Sequence, residues 1–178
     1  MVEAFRNGED VYSAHAATVF GRPVDRRRVK EDYIPGQIGK VSILGMGYSM
    51  GWYKAAMELA KGMLGAPPLT FYIQDMETLN VDPSRFLNSP KKVALVGTMP
   101  SKLELRDRLI HCAVADALVN RYRDRYPAIP AYWKRLEGII DSMIRGEEVA
   151  FGAHGVMRTG KECIWMPNGL PIRYHGLE

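Results

Sequence analysis

A lysine and a tyrosine eight residues apart lie in a segment that is unusually rich in glycine. Lys40 and Tyr48 belong to residues 37–52, whose other side chains favour a helix. Eight residues are slightly more than two helical turns. The two side chains would therefore lie about 80° apart around the axis and about 12 Å apart along it. A cation near the start of a helix and a ring further along would contact the phosphates and the base of one nucleotide.

The glycines of this segment require an explanation of their own. Gly39, Gly45, Gly47 and Gly51 all lie inside it, and an interior glycine costs a helix about 0.5–1 kcal/mol relative to alanine. Four such residues indicate that something large approaches the backbone closely. Tight packing of another helix is one explanation, and a flat ligand such as a base pair is the other. The sequence leaves both open.

The elements that must position these residues are mostly helices. Apolar spacing and end signals predict helices over residues 10–20, 37–63 (one helix or two in series), 102–125 and about 129–146. The helix at 102 is predicted from the capping box Ser101–Glu104. Strands are predicted at 149–151, 162–165 and 171–174, with a hairpin at Asn168-Gly169. The expected fold class is mainly α with a small C-terminal antiparallel β element (α+β), and residues 64–100 receive no regular assignment.

Composition and charge narrow the class of protein further. The 178 residues are 47% hydrophobic and 25% charged, which is typical of a soluble globular chain. We expect no membrane segment, no disulfide or zinc site at the isolated Cys112 and Cys163, and a cytoplasmic location. The net charge of the chain is +4, and residues 21–40 and 121–135 are two blocks in which basic residues exceed acidic ones. Such blocks, interleaved with Tyr and Trp, suit a phosphate backbone, although solvated helix faces explain them equally well on charge alone.

The spacing of Lys40 and Tyr48 among glycines resembles motif B, the fingers helix, of family A DNA polymerases and especially of their phage branch. Residues 4–21, 123–133 and 165–174 resemble further segments of the same family, in the same order. The resemblance implies a fingers-like helical region over residues 1–148, with an insertion at about 64–100. It also implies a palm-like β-hairpin region over residues 149–178.

The resemblance also implies a role for individual residues. Lys40 would bind the triphosphate and act in catalysis, and Tyr48 would pack near the templating base and the nascent pair. Leu44 would stack on the incoming nucleotide, and Tyr12 takes the place of a histidine that contacts the triphosphate in many relatives. The template strand would face Ser49, Met50 and Gly51.

One departure from the family motif concerns phosphate binding. Gly36 stands where the family usually has an arginine, four residues before the lysine. Arg26, Arg27 and Arg28 in the preceding loop are candidates to compensate and to bind DNA. If they do not compensate, triphosphate binding would be weak.

A second departure concerns the metal site. Neither motif A nor motif C, which supply the metal-binding aspartates, is present. Mg²⁺ is therefore expected only in the complete polymerase, with its ligands outside this chain, and the chain alone should be inactive. The scattered Asp75, Asp82, Asp116 and Asp141 match neither motif and are expected at the surface or in turns.

Two functions follow as alternatives. In the first, the chain is part of a DNA-directed DNA polymerase acting in DNA replication. Its partners are a primer–template, a dNTP and other fragments carrying motifs A and C, in the cytoplasm of a bacterial host cell if the chain is phage-encoded. In the second, it is a non-catalytic DNA- or protein-binding module derived from polymerase fingers.

Overall fold

The computed structural model describes residues 2–63 and 65–177. Its helices are α1 (Val2–Arg6), α2 (Val11–Phe20), α3 (Tyr33–Val41), α4 (Trp52–Lys61), α5 (Ile73–Thr78), α6 (Ser84–Leu87), α7 (Pro90–Thr98), α8 (Leu105–Arg125) and α9 (Ala128–Arg145). A 3₁₀ turn at Lys30–Asp32 precedes α3, and a π-helical turn at Ser42–Met46 follows it. Among the described residues no helix is long and apolar enough to cross a membrane.

Helices α2 and α3 pack closely because the helix–helix contact includes a glycine. Asp10 caps α2 by accepting a hydrogen bond from the backbone N–H of Tyr12, and Gly21 ends the helix in a left-handed conformation. A Cβ on Gly39 would overlap the carbonyl oxygen of Tyr12. The predicted helix over residues 10–20 is confirmed, and α3 can approach it only with glycine at position 39.

The segment from residue 37 to residue 63 belongs to two helices in series, which is the second of the two predicted alternatives. After α3 the chain passes through the π-helical turn and leaves the helical conformation before α4. Ser49 has a positive φ of 61°, which a helix interior does not allow. Gly51 is extended and precedes the first turn of α4.

Residues 65–100, the described part of the segment without a regular prediction, contain three short helices. The carboxylates of Asp75 and Asp82 accept backbone hydrogen bonds at the starts of α5 and α6, from Tyr72 (2.7 Å) and Ser84 (2.9 Å). Residues 93–96 belong to α7, and Val96 is fully buried.

Helix α8 packs against α4, α5, α6 and α7, and it begins later than predicted. The capping box predicted a start at Lys102, whereas α8 starts at Leu105 without a side-chain cap. The hydroxyl of Ser101 instead accepts from the N–H of Leu103 in the preceding turn (3.1 Å). The guanidinium of Arg108 satisfies three carbonyls of this turn and of α7, which belong to Val96, Met99 and Leu103.

Two polar contacts attach other elements to α8. The buried Asp116, expected at the surface, pairs with Lys92 of α7 at 2.8 Å. Nδ1 of the buried His111 accepts from the N–H of Phe71, so Nε2 carries the proton and donates to the carbonyl of Ala56 at 2.8 Å. Burial lowers the pKa of His111, which stays neutral in this position.

The chain divides into two compact units, with the boundary between Tyr126 and Pro127. The predicted regions divide at residue 148 instead, so contacts group α9 with the strands. The second unit consists of α9 and an antiparallel sheet of β1 (Ala150–Phe151), β2 (Met157–Gly160), β3 (Cys163–Trp165) and β4 (Pro171–Arg173). The three predicted strands and the hairpin are present, and β2 was not predicted. The α+β class is therefore confirmed.

Candidate nucleotide and nucleic-acid site

The residues predicted to bind nucleotide and DNA all lie in the first unit, around α3. Tyr12 lies on α2, and the three arginines lie in the loop between α2 and α3. Lys40 lies in the last turn of α3, and the other predicted residues occupy the π-helical turn and the bend that follows it. Most of them line two separate concave surfaces, one near each end of α3, whereas Tyr12 and Lys40 line neither surface.

The first surface, here the turn pocket, has a volume of about 390 Å³. Its lining consists of Leu44, Gly45, Tyr48, Ser49, Met50, Gly51, Lys54 and Met63. The five predicted residues of the bend and π-helical turn are thus brought together. Sequence reasoning missed Lys54 and Met63, because only the bend between the two helices places α4 beside Tyr48.

The bend exposes some of its side chains and buries others. Tyr48 is 88% exposed, whereas Met50 is only 7% exposed. The backbone N–H groups of Tyr48 and Ser49 still donate to the carbonyls of Gly45 (3.1 Å) and Met46 (3.2 Å). Of the three residues predicted to face the template, Ser49 therefore offers an exposed side chain, and Met50 contributes to the core.

The second surface, here the arginine groove, has a volume of about 450 Å³. It is lined by Arg26, Arg27, Arg28, Val29, Lys30, Tyr33 and Ile34. The side chains of Arg27 and Arg28 are 67% and 86% exposed, and each lies 3.8–3.9 Å from its nearest carboxylate oxygen. Ion pairs this long and exposed contribute little, so both guanidinium groups are available to an anion.

Arg26 differs from its two neighbours because its charge is already engaged. Its Nε donates to Asp10 at 2.6 Å, and its guanidinium carbon lies 4.6 Å from the centre of the Tyr12 ring. Burial raises the pKa of the Asp10 carboxyl, but hydrogen bonds from Arg26 and Ser13 outweigh that effect and hold the pKa below its ordinary value. Asp10, Tyr12 and Arg26, here the Arg26 clamp, join α2 to the loop before α3.

The Arg26 clamp gives a physical reason for Gly36. A Cβ on Gly36 would overlap the aliphatic part of the Arg26 side chain. A side chain at position 36 is therefore incompatible with the present position of Arg26. Position 36 lies one turn before Lys40, on the same side of α3. Arg26 thus occupies the space beside α3 in which an arginine at position 36 would begin.

Other atoms of the chain lie close to three of the four glycines that suggested a close ligand. A Cβ on Gly45 would overlap the end of the Met50 side chain, and one on Gly47 would lie 3.2 Å from the Tyr122 hydroxyl. Gly39 contacts α2, as described above. Only Gly51 has open space beside it, and Gly51 lines the turn pocket. Packing therefore requires glycine at position 39, where the neighbour is a backbone atom, whereas the neighbours of Gly45 and Gly47 are the ends of side chains.

A buried histidine of α2 packs against two tyrosine rings. His15 on α2 is 1% exposed, and its ring lies 5.8 and 5.7 Å from the ring centres of Tyr122 and Tyr126. Neither ring nitrogen has a hydrogen-bond partner among the described residues. Burial, with a smaller contribution from the charge of Arg125, lowers the pKa of His15 to about 4. His15 is therefore a neutral packing residue, and nothing in its spacing had marked it.

The chemistry that the site offers is cationic and aromatic. The described residues contain no group of three or more His, Cys, Asp or Glu side chains placed to hold a metal ion. The arginine groove offers donors for phosphate oxygens, and the turn pocket offers an exposed ring on which a base can stack.

Comparison with known proteins adds no relative. No protein-family model matches the chain, and neither the curated proteins nor the solved structures give a match. The resemblance to family A polymerases therefore rests on the sequence motifs alone.

Proposed function

We propose that this chain is the fingers and adjoining palm part of a DNA-directed DNA polymerase. It binds the incoming dNTP and the primer–template during DNA replication. The aspartates that bind Mg²⁺ come from other segments or from a partner chain. The observation that supports the proposal is the position of Lys40 along α3, after Tyr33 and Ile34 of the arginine groove and one turn before Leu44 of the turn pocket.

The distances along α3 suit a nucleotide bound lengthwise. Tyr33, at the arginine groove, precedes Lys40 by seven residues, which is about 10 Å of helix. Leu44 follows Lys40 by one turn and lines the turn pocket. Phosphates would meet cations at the first end, and the base would meet Tyr48 at the second. Lys40 would neutralise the leaving pyrophosphate and donate a proton to it.

The reaction itself requires groups that this proposal assigns elsewhere. Phosphoryl transfer by two metal ions places both ions about 3.5–4 Å apart on carboxylates. Those carboxylates would belong to motifs A and C, and Mg²⁺ would bind there. The role of the present chain is then to hold the nucleotide and the template in position.

Primer extension tests the proposal. The chain is assayed with Mg²⁺ and four dNTPs, alone and mixed with fragments that carry motifs A and C. We expect extension only in the mixture, and we expect Lys40→Ala to abolish it. Lys91→Ala, which removes an exposed lysine of α7, is the matched control and should leave the rate unchanged. Extension by the chain alone, or an active Lys40→Ala mixture, would refute the proposal.

A second candidate function is a non-catalytic DNA-binding module. The observation that favours it is the Arg26 clamp, which engages the guanidinium nearest to the empty arginine position. In that case DNA would bind with the same affinity whether or not dNTP is present, and no fragment mixture would extend a primer.

A further inference from the structure

The sheet of the second unit has one covered face and one open face. Phe151, Met157 and Ile164 pack against Ile139 and Met143 of α9 and form a small core. Directly paired residues share a face, and successive residues of a strand alternate between faces. By this register, the opposite face presents Ala150, Arg158, Gly160, Cys163, Trp165, Pro171 and Arg173.

Trp165 is the large side chain of this open face. It is 45% exposed, although an indole of this size is usually well buried. It pairs with Arg158 on β2 and with Pro171 on β4. A Cβ on Gly160 would lie 3.1 Å from the indole nitrogen. The ring is thus held beside a glycine of β2, with part of its surface open to solvent.

Two arginines flank the indole. Arg158 and Arg173 are both exposed, and none of the seven residues of the face is acidic. Glu148, which precedes β1, accepts from Arg158 at 3.0 Å, but both side chains are about two-thirds exposed. A pair so exposed contributes little and is readily replaced by a phosphate. The open face therefore combines two available cations with an aromatic ring.

A concavity beside the ring provides space for a base. Its volume is about 390 Å³. It is lined by Glu148, Val156, Arg158, Trp165, Met166, Pro167 and Gly169. Trp165 and Arg158 both border this space, so a base and its adjoining phosphate have partners within one short stretch of the sheet.

We infer that the open face of this sheet binds single-stranded DNA, with one base stacked on Trp165 and backbone phosphates paired with Arg158 and Arg173. Stacking on an exposed ring needs an unpaired base, which a duplex does not offer. Apart from the thiol of Cys163, which is a weak acceptor, none of the seven side chains accepts a hydrogen bond, so a 2′-hydroxyl finds no strong acceptor among them. This surface lies wholly within the second unit and does not depend on the proposed polymerase function.

Fluorescence anisotropy tests the inference. A labelled oligothymidylate of twelve nucleotides is titrated with the full chain at low salt. Trp165→Ala should weaken binding about tenfold, and Trp165→Phe should retain much of it. The matched control is Trp133→Phe on α9, which should bind like the parent. Circular dichroism of each variant verifies the fold. Unchanged binding by Trp165→Ala would overturn the inference.

The arginines give a second, independent measurement. Arg158→Ala and Arg173→Ala should each weaken binding about threefold to tenfold and reduce the slope of log affinity against log salt by about one. Arg135→Ala removes an exposed charge of α9 and should change the affinity less. Equal effects of all three variants would show that net charge alone, and not this face, binds the oligonucleotide.

Two competitors separate this inference from other kinds of binding. A duplex of the same length should compete more weakly than the single strand, and oligouridylate should compete no better than oligothymidylate. Tighter binding of either one contradicts the inference. If Lys40→Ala and Tyr48→Ala lose oligothymidylate binding while Trp165→Ala does not, the oligonucleotide binds the first unit, so the sheet face fails and the proposed function is unaffected.

Discussion

The two ends of α3 differ in how firmly their side chains are held. At the arginine groove, Arg26 is engaged by Asp10 and Tyr12, and Gly36 and Gly39 contact neighbouring atoms so closely that no side chain fits. At the turn pocket, Tyr48 is exposed and Gly51 has open space beside it. The comparison shows that Arg26, Gly36 and Gly39 contribute to packing and stability, whereas Tyr48 is exposed and free for recognition.

Lowering the pH should reduce the free energy of unfolding, because the buried His15 of α2 must be neutral in the folded chain. Its pKa is about 4 in the folded chain and about 6.5 when unfolded. The unfolded state therefore binds more protons between these values. The stability contributed by neutral His15 is complete above about pH 6.5 and is lost as the pH falls towards 4, by about 3 kcal/mol in total. Urea unfolding at pH 7, 5.5 and 4.5 measures this loss.

A variant isolates the contribution of His15. His15→Leu places an apolar side chain in the same buried position. It should flatten the dependence of the unfolding free energy on pH, apart from the part that the buried His111 contributes. His175→Gln, at an exposed position, should keep the full dependence. If the His15→Leu profile matches that of the parent, the buried imidazole is not the cause.

Glycine 39 should tolerate no side chain. In Gly39→Ala the new methyl group would overlap a backbone carbonyl of α2, so the helices must separate, at a cost of about 2–3 kcal/mol. Gly138→Ala in α9 is the control, because nothing lies within 4 Å of its Cβ position. That change should stabilise the chain by about 0.5–1 kcal/mol. Urea midpoints compare both variants with the parent, and equal signs would contradict the packing argument.

Arg26 and Gly36 should behave as a coupled pair. Gly36→Arg alone should destabilise the chain by about 1–2 kcal/mol, because its side chain overlaps Arg26. Combining it with Arg26→Gly removes the overlap and should recover part of the loss. A double-mutant cycle of unfolding free energies measures the coupling. Additive effects would show that Arg26 does not occupy the space beside Gly36.

A substitution at the exposed Tyr48 should affect nucleotide binding much more than it affects stability. Tyr48→Ala should change the unfolding free energy by less than about 0.5 kcal/mol, because the side chain contributes little to packing. The same variant should weaken dNTP binding about tenfold, since a stacked base loses its partner. Tyr132→Ala, another exposed tyrosine, should affect neither quantity. A large loss of stability in Tyr48→Ala would show that this side chain contributes to packing, which contradicts the difference between the two ends of α3.

Much of the fold could be predicted because local signals agree with packing. Asp10 and Gly21 bound α2 as caps, Gly146 ends α9 in a left-handed conformation, and Asn168-Gly169 makes the hairpin. The start of α8 was misplaced because Ser101 caps a turn and not a helix. Strand β2 was missed because Met157–Gly160 contains a glycine and lacks clear alternation, and pairing on both sides maintains it.

The site was predictable only in part. The residues of the turn pocket are close in sequence, so one motif found most of them. The Arg26 clamp joins positions 10, 12 and 26, and its overlap with Gly36 depends on the approach of two helices. The arginine missing from position 36 could be noticed in the sequence, but the side chain that fills its place could not. Lys54 joins the pocket only through the bend at Ser49.

Calorimetric titration of the chain with a dNTP, in the presence of a primer–template, tests most directly whether α3 holds a nucleotide between the arginine groove and the turn pocket. We predict saturable binding that Lys40→Ala weakens at least tenfold, that the combined Arg27→Ala and Arg28→Ala variant weakens similarly, and that Lys91→Ala leaves unchanged. Binding that is equal in all of these variants would contradict the account.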